Sequence, residues 1–563
     1  MAPTPGILYV TMAPHATLPP AQFHDWYQNE HGPGRLRLPH IFLNGFRYRL
    51  DSSQKDPSEE QPEWMAIYDV TDMAYMLSEE YTRLRKSPVQ SQRERDTMKQ
   101  IKVDRKFYDL VHESRGDGFK ALEDVALEGN EGNLIVAVIN TLQEPGGRAE
   151  LQKWYEEEHI PLLAKVPGWR RSRVFTSSTV EEKRAGYFEF LVLHEYDPQS
   201  NGLDGPEFKA AVGTPWRQRI FDTVIKTKKR TVYNLAYTFG PAPRDLASLT
   251  DLATAPLTFA ENRTRTYPAR DGSPAAIESY VITPDGCLLP YRLEGYTTDP
   301  QAPLLVLINS VLVEYGIWDG FIRAFFARPE NRKFRVVRYN ARGRSANCGL
   351  EGDNVTVDLL ARDVTSLLDA LRVLRAAGVI GVSLGGATSL NVALKYPERV
   401  AVFVACDTNA AAPEGNPKAW GERIALAESE QAVSTAGERV VGGKLAEITT
   451  KRWFVDESYD GGKKEKECWR INEMVKNNSL EGFKKGVKAL YKYDFRDDMK
   501  AGKVKGAFMV GGRDGVLPKA MVGMKDGYAD GTSWFVIIDN AGHLPMVEKP
   551  ELFADAITIF LAE

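Results

Sequence analysis

Histidine is scarce in this 563-residue chain: there are eight, and after His194 only one, His543. Any chemistry in the second half that needs an imidazole must therefore use His543. Cysteine is scarcer still. Cys287, Cys348, Cys406 and Cys468 are far apart and form no C-x-x-C pair, which excludes a disulfide framework and a zinc site and suits a reducing compartment. Long apolar runs are missing too. No window reaches the eighteen or so apolar residues of a membrane span, and the opening Met-Ala-Pro-Thr-Pro-Gly has no basic stretch ahead of its short run at 7–10. The expectation is a cytoplasmic protein with no membrane partner. Net charge is also lacking. The 72 Lys and Arg against 76 Asp and Glu leave −4, which gives no general pull toward phosphate backbones and argues against nucleic acid.

What is present begins with a repeat. Trp26-Tyr27-x-x-Glu30-His31-x-Pro33 returns 128 residues on as Trp154-Tyr155-x-x-Glu158-His159-x-Pro161. Each copy follows a strand-like run (6–12; 133–140) and precedes a Gly-aromatic-Arg step, Gly45-Phe46-Arg47 and Gly168-Trp169-Arg170. Further strand-like runs (64–70; 187–194) and helix-like stretches (75–86; 206–221) follow, and each copy closes on a strand, 106–110 and 231–235. The predicted order is β-α-β-β-α-β twice, the ferredoxin-like unit. Residues 1–115 and 128–240 are read as the two units. The motif resembles EthD-like members of the dimeric α+β barrel superfamily, which implies that the two copies pair as a barrel pseudo-dimer or support a homo-oligomer.

Two roles are open for the motif. Trp26 and Glu30, or Tyr27 and His31, lie four apart and can share a helix face. On one reading the aromatics pack on the sheet while Glu30, His31, Glu158 and His159 hold the helix end. On the other, His31 and His159 face a cleft as acid–base groups, with a pKa range suited to proton transfer. Histidines serve the second purpose in related lactone isomerases and decarboxylases of the superfamily that the motif resembles, and both readings stay open.

Residues 241–275, rich in Pro, Ala, Thr and Asp, read as a linker. From 276 to 563 short apolar runs at 304–308, 334–339, 378–382, 400–406, 507–510 and 534–538 alternate with helical segments, the pattern of a doubly wound α/β domain. Gly381-Val382-Ser383-Leu384-Gly385-Gly386 sits between a strand and a helix, the context of a nucleophile elbow. Asp514 and His543 each follow a later strand, in the chain order Ser, acid, His. Asp407, after the run 400–406, is the competing acid. The amide after the nucleophile, Leu384, is one expected oxyanion donor, and the amide of Val311, in the loop after 304–308, is the other.

These residues resemble an α/β-hydrolase, and within that superfamily the 3-oxoadipate enol-lactonase group. The resemblance rests on Asn309-Ser310, Ile317-Trp318-Asp319, Arg342-Gly343-Arg344-Ser345, the elbow, Arg452-Trp453-Phe454 and Tyr493-Asp494-Phe495-Arg496. Val311-Leu312-Val313-Glu314-Tyr315 departs from the group near the oxyanion loop. Residues 413–500, helical and aromatic, read as a cap that favours a flat, partly apolar substrate. The expected function is hydrolysis of an ester or enol-lactone of an aromatic-derived or polyketide-like small molecule, with no metal and no cofactor. The rival readings are a bifunctional enzyme whose barrel isomerises, dehydrates or decarboxylates the substrate first, a C–C bond hydrolase, and a non-catalytic ligand binder.

Overall fold

The computed structural model describes residues 2–54, 61–124, 133–180, 189–198, 202–250, 264–270, 272–459, 462 and 464–563. The chain divides into two compact units, with the division near Asp245. In the first, the strands are β1 (Gly6–Pro14), β2 (Phe46–Leu50), β3 (Trp64–Val70), β4 (Ile101–Arg115), β5 (Leu134–Leu142), β6 (Trp169–Ser177), β7 (Glu189–Tyr196) and β8 (Ile225–Thr238). Helices lie between β1 and β2, between β3 and β4, and at the matching places of the second half. The strands close an antiparallel barrel in the order β1-β3-β2-β8-β5-β7-β6-β4.

Strand alternation sorts the side chains. Ile7 and Tyr9 point into the barrel, where they join Tyr48, Ile67, Ile135, Phe175, Leu191 and Tyr233 in one apolar core. Leu8, Val10 and Met12 point outward and meet Phe23, Trp26 and Tyr27 on the first helix. The second repeat does the same with Val136 and Val138 against Leu151, Trp154 and Tyr155. Each sheet half is thus covered on both faces. Buried charges link the repeats inside the barrel, where Arg173 bridges Asp69 (2.6 Å) and Glu195 (3.0 Å). A pair of this kind is strongly destabilising to break, because the surviving charge stays buried.

The repeated motif forms a π-helical turn at Tyr27–His31 and again at Tyr155–His159. The wider turn changes the face geometry expected from α-helical spacing. The His31 ring lies against both Trp26 (4.7 Å between centroids) and Tyr27 (5.0 Å). Such turns are rare and favour functional sites.

The second unit is a nine-stranded sheet in the order β17-β16-β15-β14-β12-β13-β11-β10-β9. Its parallel part holds β12 (Leu304–Ile308), β13 (Arg335–Tyr339), β14 (Gly378–Val382), β15 (Val402–Cys406), β16 (Lys505–Gly511) and β17 (Trp534–Ile538). An antiparallel edge of β9 (Arg265–Tyr267), β10 (Ala275–Ile282) and β11 (Leu288–Gly295) makes the sheet mixed. β9 lies within the segment read as a linker, because three residues are too few to show as a periodic pattern; residues 251–263 and 271 of that segment lie outside the described residues. Between β15 and β16 come the helices Asn416–Glu430, Gly443–Trp453, Glu465–Lys476, Leu480–Gly486 and Arg496–Lys500. No helix among the described residues is long and apolar enough to cross a membrane.

Candidate active site

The turn after β14 is tightly constrained. Ser383 has φ 58° and ψ −118°, outside the regions that L-residues normally occupy, and the helix Leu384–Lys395 starts at the next residue. The amide of Ser383 donates to the Cys406 carbonyl (2.8 Å), which ties the turn to β15. Glycine is required around it. A Cβ on Gly381 would lie 1.9 Å from the Gly385 carbonyl oxygen, and one on Gly385 would lie 2.3 Å from that of Ile308.

Ser383, Asp514 and His543 border one cavity of about 590 Å³, together with Val311, Trp420, Arg423, Arg452, Trp453 and Tyr493. His543 Nδ1 lies 2.7 Å from Asp514 Oδ2. Two further groups hold the imidazole. Trp453 stacks on it (5.7 Å, 24°) and accepts the His543 amide on its carbonyl (2.7 Å). Glu548, almost fully buried, accepts the amides of Gly542 (2.6 Å) and Val455 (3.0 Å), so one carboxyl joins the histidine loop to the residues after the cap helix. In the loop after β12, Asn309 donates to the Tyr339 carbonyl (3.0 Å) and accepts from Trp318 Nε1 (3.2 Å). This asparagine braces the loop that carries Val311.

Asp407, the competing acid, is not the partner of Nδ1. It is buried with a φ of 45°, and its Oδ1 accepts the Gly511 amide at 2.8 Å. Burial, and then the charge of Asp514, push its carboxyl well above the usual range. Ligand-type atoms of Asp407, Asp514 and His543 lie within 4.8 Å of one another, a spacing that a metal ion could bridge. Of these groups Asp514 meets the imidazole at 2.7 Å, while Asp407 bonds the Gly511 amide.

In the barrel the two motif copies part company. His31 is half-buried and bonds Glu94 through Nδ1 (2.8 Å). Its surroundings are filled. The Arg47 guanidinium lies over Trp64 (4.0 Å), Phe23 (4.4 Å) and Tyr27 (4.9 Å), and Phe239 stacks on Tyr68 (5.8 Å, 11°). Phe239 fits because residue 32 is glycine, where a Cβ would come within 2.4 Å of its ring. Glu30 is buried and its carboxyl is pushed up to about 7, chiefly by burial.

The second copy carries Ile160 where the first has Gly32, and it borders a cavity of about 520 Å³. His159 lies on its wall, stacked on Trp154 (4.4 Å, 18°), with Nδ1 3.2 Å from the Ala211 carbonyl. Glu158 is turned to other partners, Trp154 Nε1 (3.3 Å) and the Thr214 hydroxyl. The residue that sequence reasoning missed is His194, on the same wall 6.1 Å from the His159 ring. The alternation Phe190, Val192, His194, Tyr196 along β7 was the available signal, since the other three belong to the cluster under the helices.

Comparison with known proteins bears on the second unit. Residues 305–556 match the Alpha/beta hydrolase family. Over 265 residues the chain is 26% identical to the 3-oxoadipate enol-lactonase 2 of Acinetobacter baylyi, covering 47% of this chain and 91% of that protein. Over 109 residues it is 35% identical to the rhodomycin D methylesterase DnrP of Streptomyces peucetius, covering 19% of this chain and 35% of that one. A solved enol-lactonase from Burkholderia xenovorans LB400 aligns with a TM-score of 0.43 at 24% identity, covering 50% of this chain and all of that one. The match to the family and the elbow, sheet order and cavity together make the carboxy-terminal half of this chain an α/β-hydrolase.

Proposed function

We propose that this half cleaves an ester or enol-lactone through a covalent acyl-enzyme. Ser383 attacks the carbonyl, His543 takes the serine proton and returns it to the leaving oxygen, and Asp514 orients the imidazole. The amides of Leu384 and Val311 receive the oxyanion. Water then attacks the acyl-enzyme with His543 as base, and Ser383 is restored. The observation that carries the reading is the 2.7 Å contact of His543 with Asp514 on the wall of the cavity that Ser383 borders.

The cavity wall supports a flat, aromatic-derived or polyketide-like substrate, with Trp420, Trp453 and Tyr493 offering ring faces. Arg423 lies over Trp420 (4.3 Å), and Arg452 is drawn down to about 10 by burial and by Arg423, so an acidic group on the substrate also suits this wall. The direct test incubates His543→Ala with an enol-lactone and with a methyl ester and weighs the protein. An acyl adduct on Ser383 supports the scheme, whereas an unmodified protein that still turns over the ester opposes it. Release of a carbon leaving group instead of an alcohol or enol would identify C–C hydrolysis.

For the first unit we propose two ferredoxin-like, EthD-like repeats joined as an intramolecular pseudo-dimer. The repeated element order and the strand sequence β4-β1-β3-β2, echoed as β8-β5-β7-β6, support it. The four cysteines, all free and buried, suit a reducing setting such as the cytoplasm. The pair His159 and His194 favours the bifunctional reading, in which the barrel moves a proton on the compound before hydrolysis. In that case His159→Gln stalls the natural precursor but leaves cleavage of a simple p-nitrophenyl ester intact; unchanged precursor turnover rules it out.

A further inference from the structure

The cavity of the second repeat is lined on one side by cations. Arg217 and Lys228 flank the same ring, Phe221, at 4.3 and 4.7 Å, and Arg230 lies 6.0 Å from the Phe208 ring. Among the described residues none of the three forms an ion pair. Two carboxylates also border the cavity. Asp51 accepts the Ser53 amide (2.9 Å) and the Asn234 side-chain amide (2.6 Å), while Asp204 acts on Arg230 only at longer range. Positive charge is therefore gathered on one cavity, with Lys228 exposed to solvent and Arg230 half-buried. Its cost is visible at Lys228, whose ammonium is pushed down to about 8 by burial and then by Arg217 and Arg230. An anion placed among the three would relieve that repulsion.

The opposite wall supplies a neutral hydrogen-bonding pair. His159 donates from Nδ1 to the Ala211 carbonyl (3.2 Å), which leaves its Nε2 as an acceptor. The Ser172 hydroxyl accepts from Trp169 Nε1 (2.9 Å) and sits 2.7 Å from His194 Nδ1. Its proton is then directed to that nitrogen, so His194 presents Nε2–H as a donor. Burial holds both rings neutral, His159 down to about 3 and His194 well below the usual value. Between the walls lie Val136, Val138 and Val232 on the strands and Trp154 on the helix, an apolar slot for a ring.

We propose that the second barrel repeat is a ligand site, lined by residues other than those of the hydrolase cavity, that takes a flat aromatic or enolic carboxylate. The anion sits among Arg217, Lys228 and Arg230, the ring lies against Trp154 and Phe221, and a polar substituent meets the His159 acceptor and the His194 donor. Site occupancy does not require the barrel to be catalytic. In the first repeat, among the described residues, Arg47 and Phe239 pack against the motif's aromatic side chains instead.

The test is calorimetric titration of the full chain with 2-naphthoate and with the neutral 2-naphthamide, on the native protein and on Lys228→Met/Arg230→Met. The expected result is 2-naphthoate binding at least tenfold tighter than the amide, with that preference reduced at least tenfold in the double variant and p-nitrophenyl acetate turnover unchanged. Arg217→Met serves as the second variant if the double substitution lowers the melting temperature. Equal affinity for the acid and the amide, an unaltered preference in a folded variant, or no binding of 2-naphthoate at millimolar concentration each overturns the proposal.

Discussion

The two cavities of this chain are close in volume, about 590 Å³ beside Ser383 and about 520 Å³ in the second barrel repeat, yet they are built in opposite ways. In the second unit Ser383, Asp514 and His543 sit on turns and loops at the ends of parallel strands, and the imidazole meets one carboxyl group. In the barrel the histidines stand on the face of a strand and on a π-turn, with a carbonyl and a hydroxyl for partners. The first arrangement fixes the ring through a carboxyl partner on Nδ1; the second, with burial, favours the neutral ring. A histidine beside a cavity therefore reveals little until its second nitrogen is accounted for.

The comparison breaks first at Ser383. Ser383→Ala is expected to lower ester turnover by about 10⁴-fold or more, measured by initial rates, while leaving 2-naphthoate binding untouched. If binding disappears as well, the two sites are not independent. Asp514→Asn is expected to cost about 10³–10⁴-fold, because the amide cannot stabilise the imidazolium. A loss under tenfold would return the role of acid to Asp407.

Asp407→Asn sharpens the contrast in the other direction. Asn can keep the acceptor for the Gly511 amide and is expected to retain activity within about tenfold. The Asp407 carboxyl is raised in the fold, so its favourable contribution is complete below the unfolded value and is lost as pH rises through the folded one. The stability of the variant relative to the parent should therefore increase with pH, read from urea midpoints across a pH series. A constant difference would mean that the Asp407 carboxyl is not raised in the fold.

The smallest expected effect is the acid response of the barrel. Burial lowers His24 and His159 to about 3 and holds His194 well below its usual range, so their contribution is complete above the unfolded value of about 6.5 and drains as pH falls from there. The barrel melting temperature should fall below that pH, with a shallower slope in His159→Gln. An identical slope in the variant would mean that His159 does not titrate on unfolding.

Much of this architecture is legible from residue patterns. The doubled motif marks the two halves of the barrel, and the glycines around Ser383 mark the elbow because backbone atoms leave no room for side chains there. The difference between the two repeats is not legible, since it depends on tertiary filling. Gly32 against Ile160 is its one trace in the motif, and its meaning depends on Phe239, more than two hundred residues later. The contact of Asp407 with the acid loop is hidden for the same reason, because β15 and β16 are neighbours in the sheet but are separated in sequence by the whole cap. The antiparallel edge is missed because β9 is only three residues long and because Glu278 and Ser279 in β10, and Pro290, Arg292 and Glu294 in β11, break the continuous apolar run that marks the buried parallel strands.

The central claim is that Ser383 is an activated nucleophile served by His543. Its most direct test is the intact mass of the full chain after treatment with a fluorophosphonate, with the modified residue located by peptide mapping. The account predicts one stoichiometric adduct on Ser383, absent in Ser383→Ala and slowed at least a hundredfold in His543→Ala. A folded protein that stays unlabelled while a control serine hydrolase reacts, or an adduct on any other residue, would contradict it.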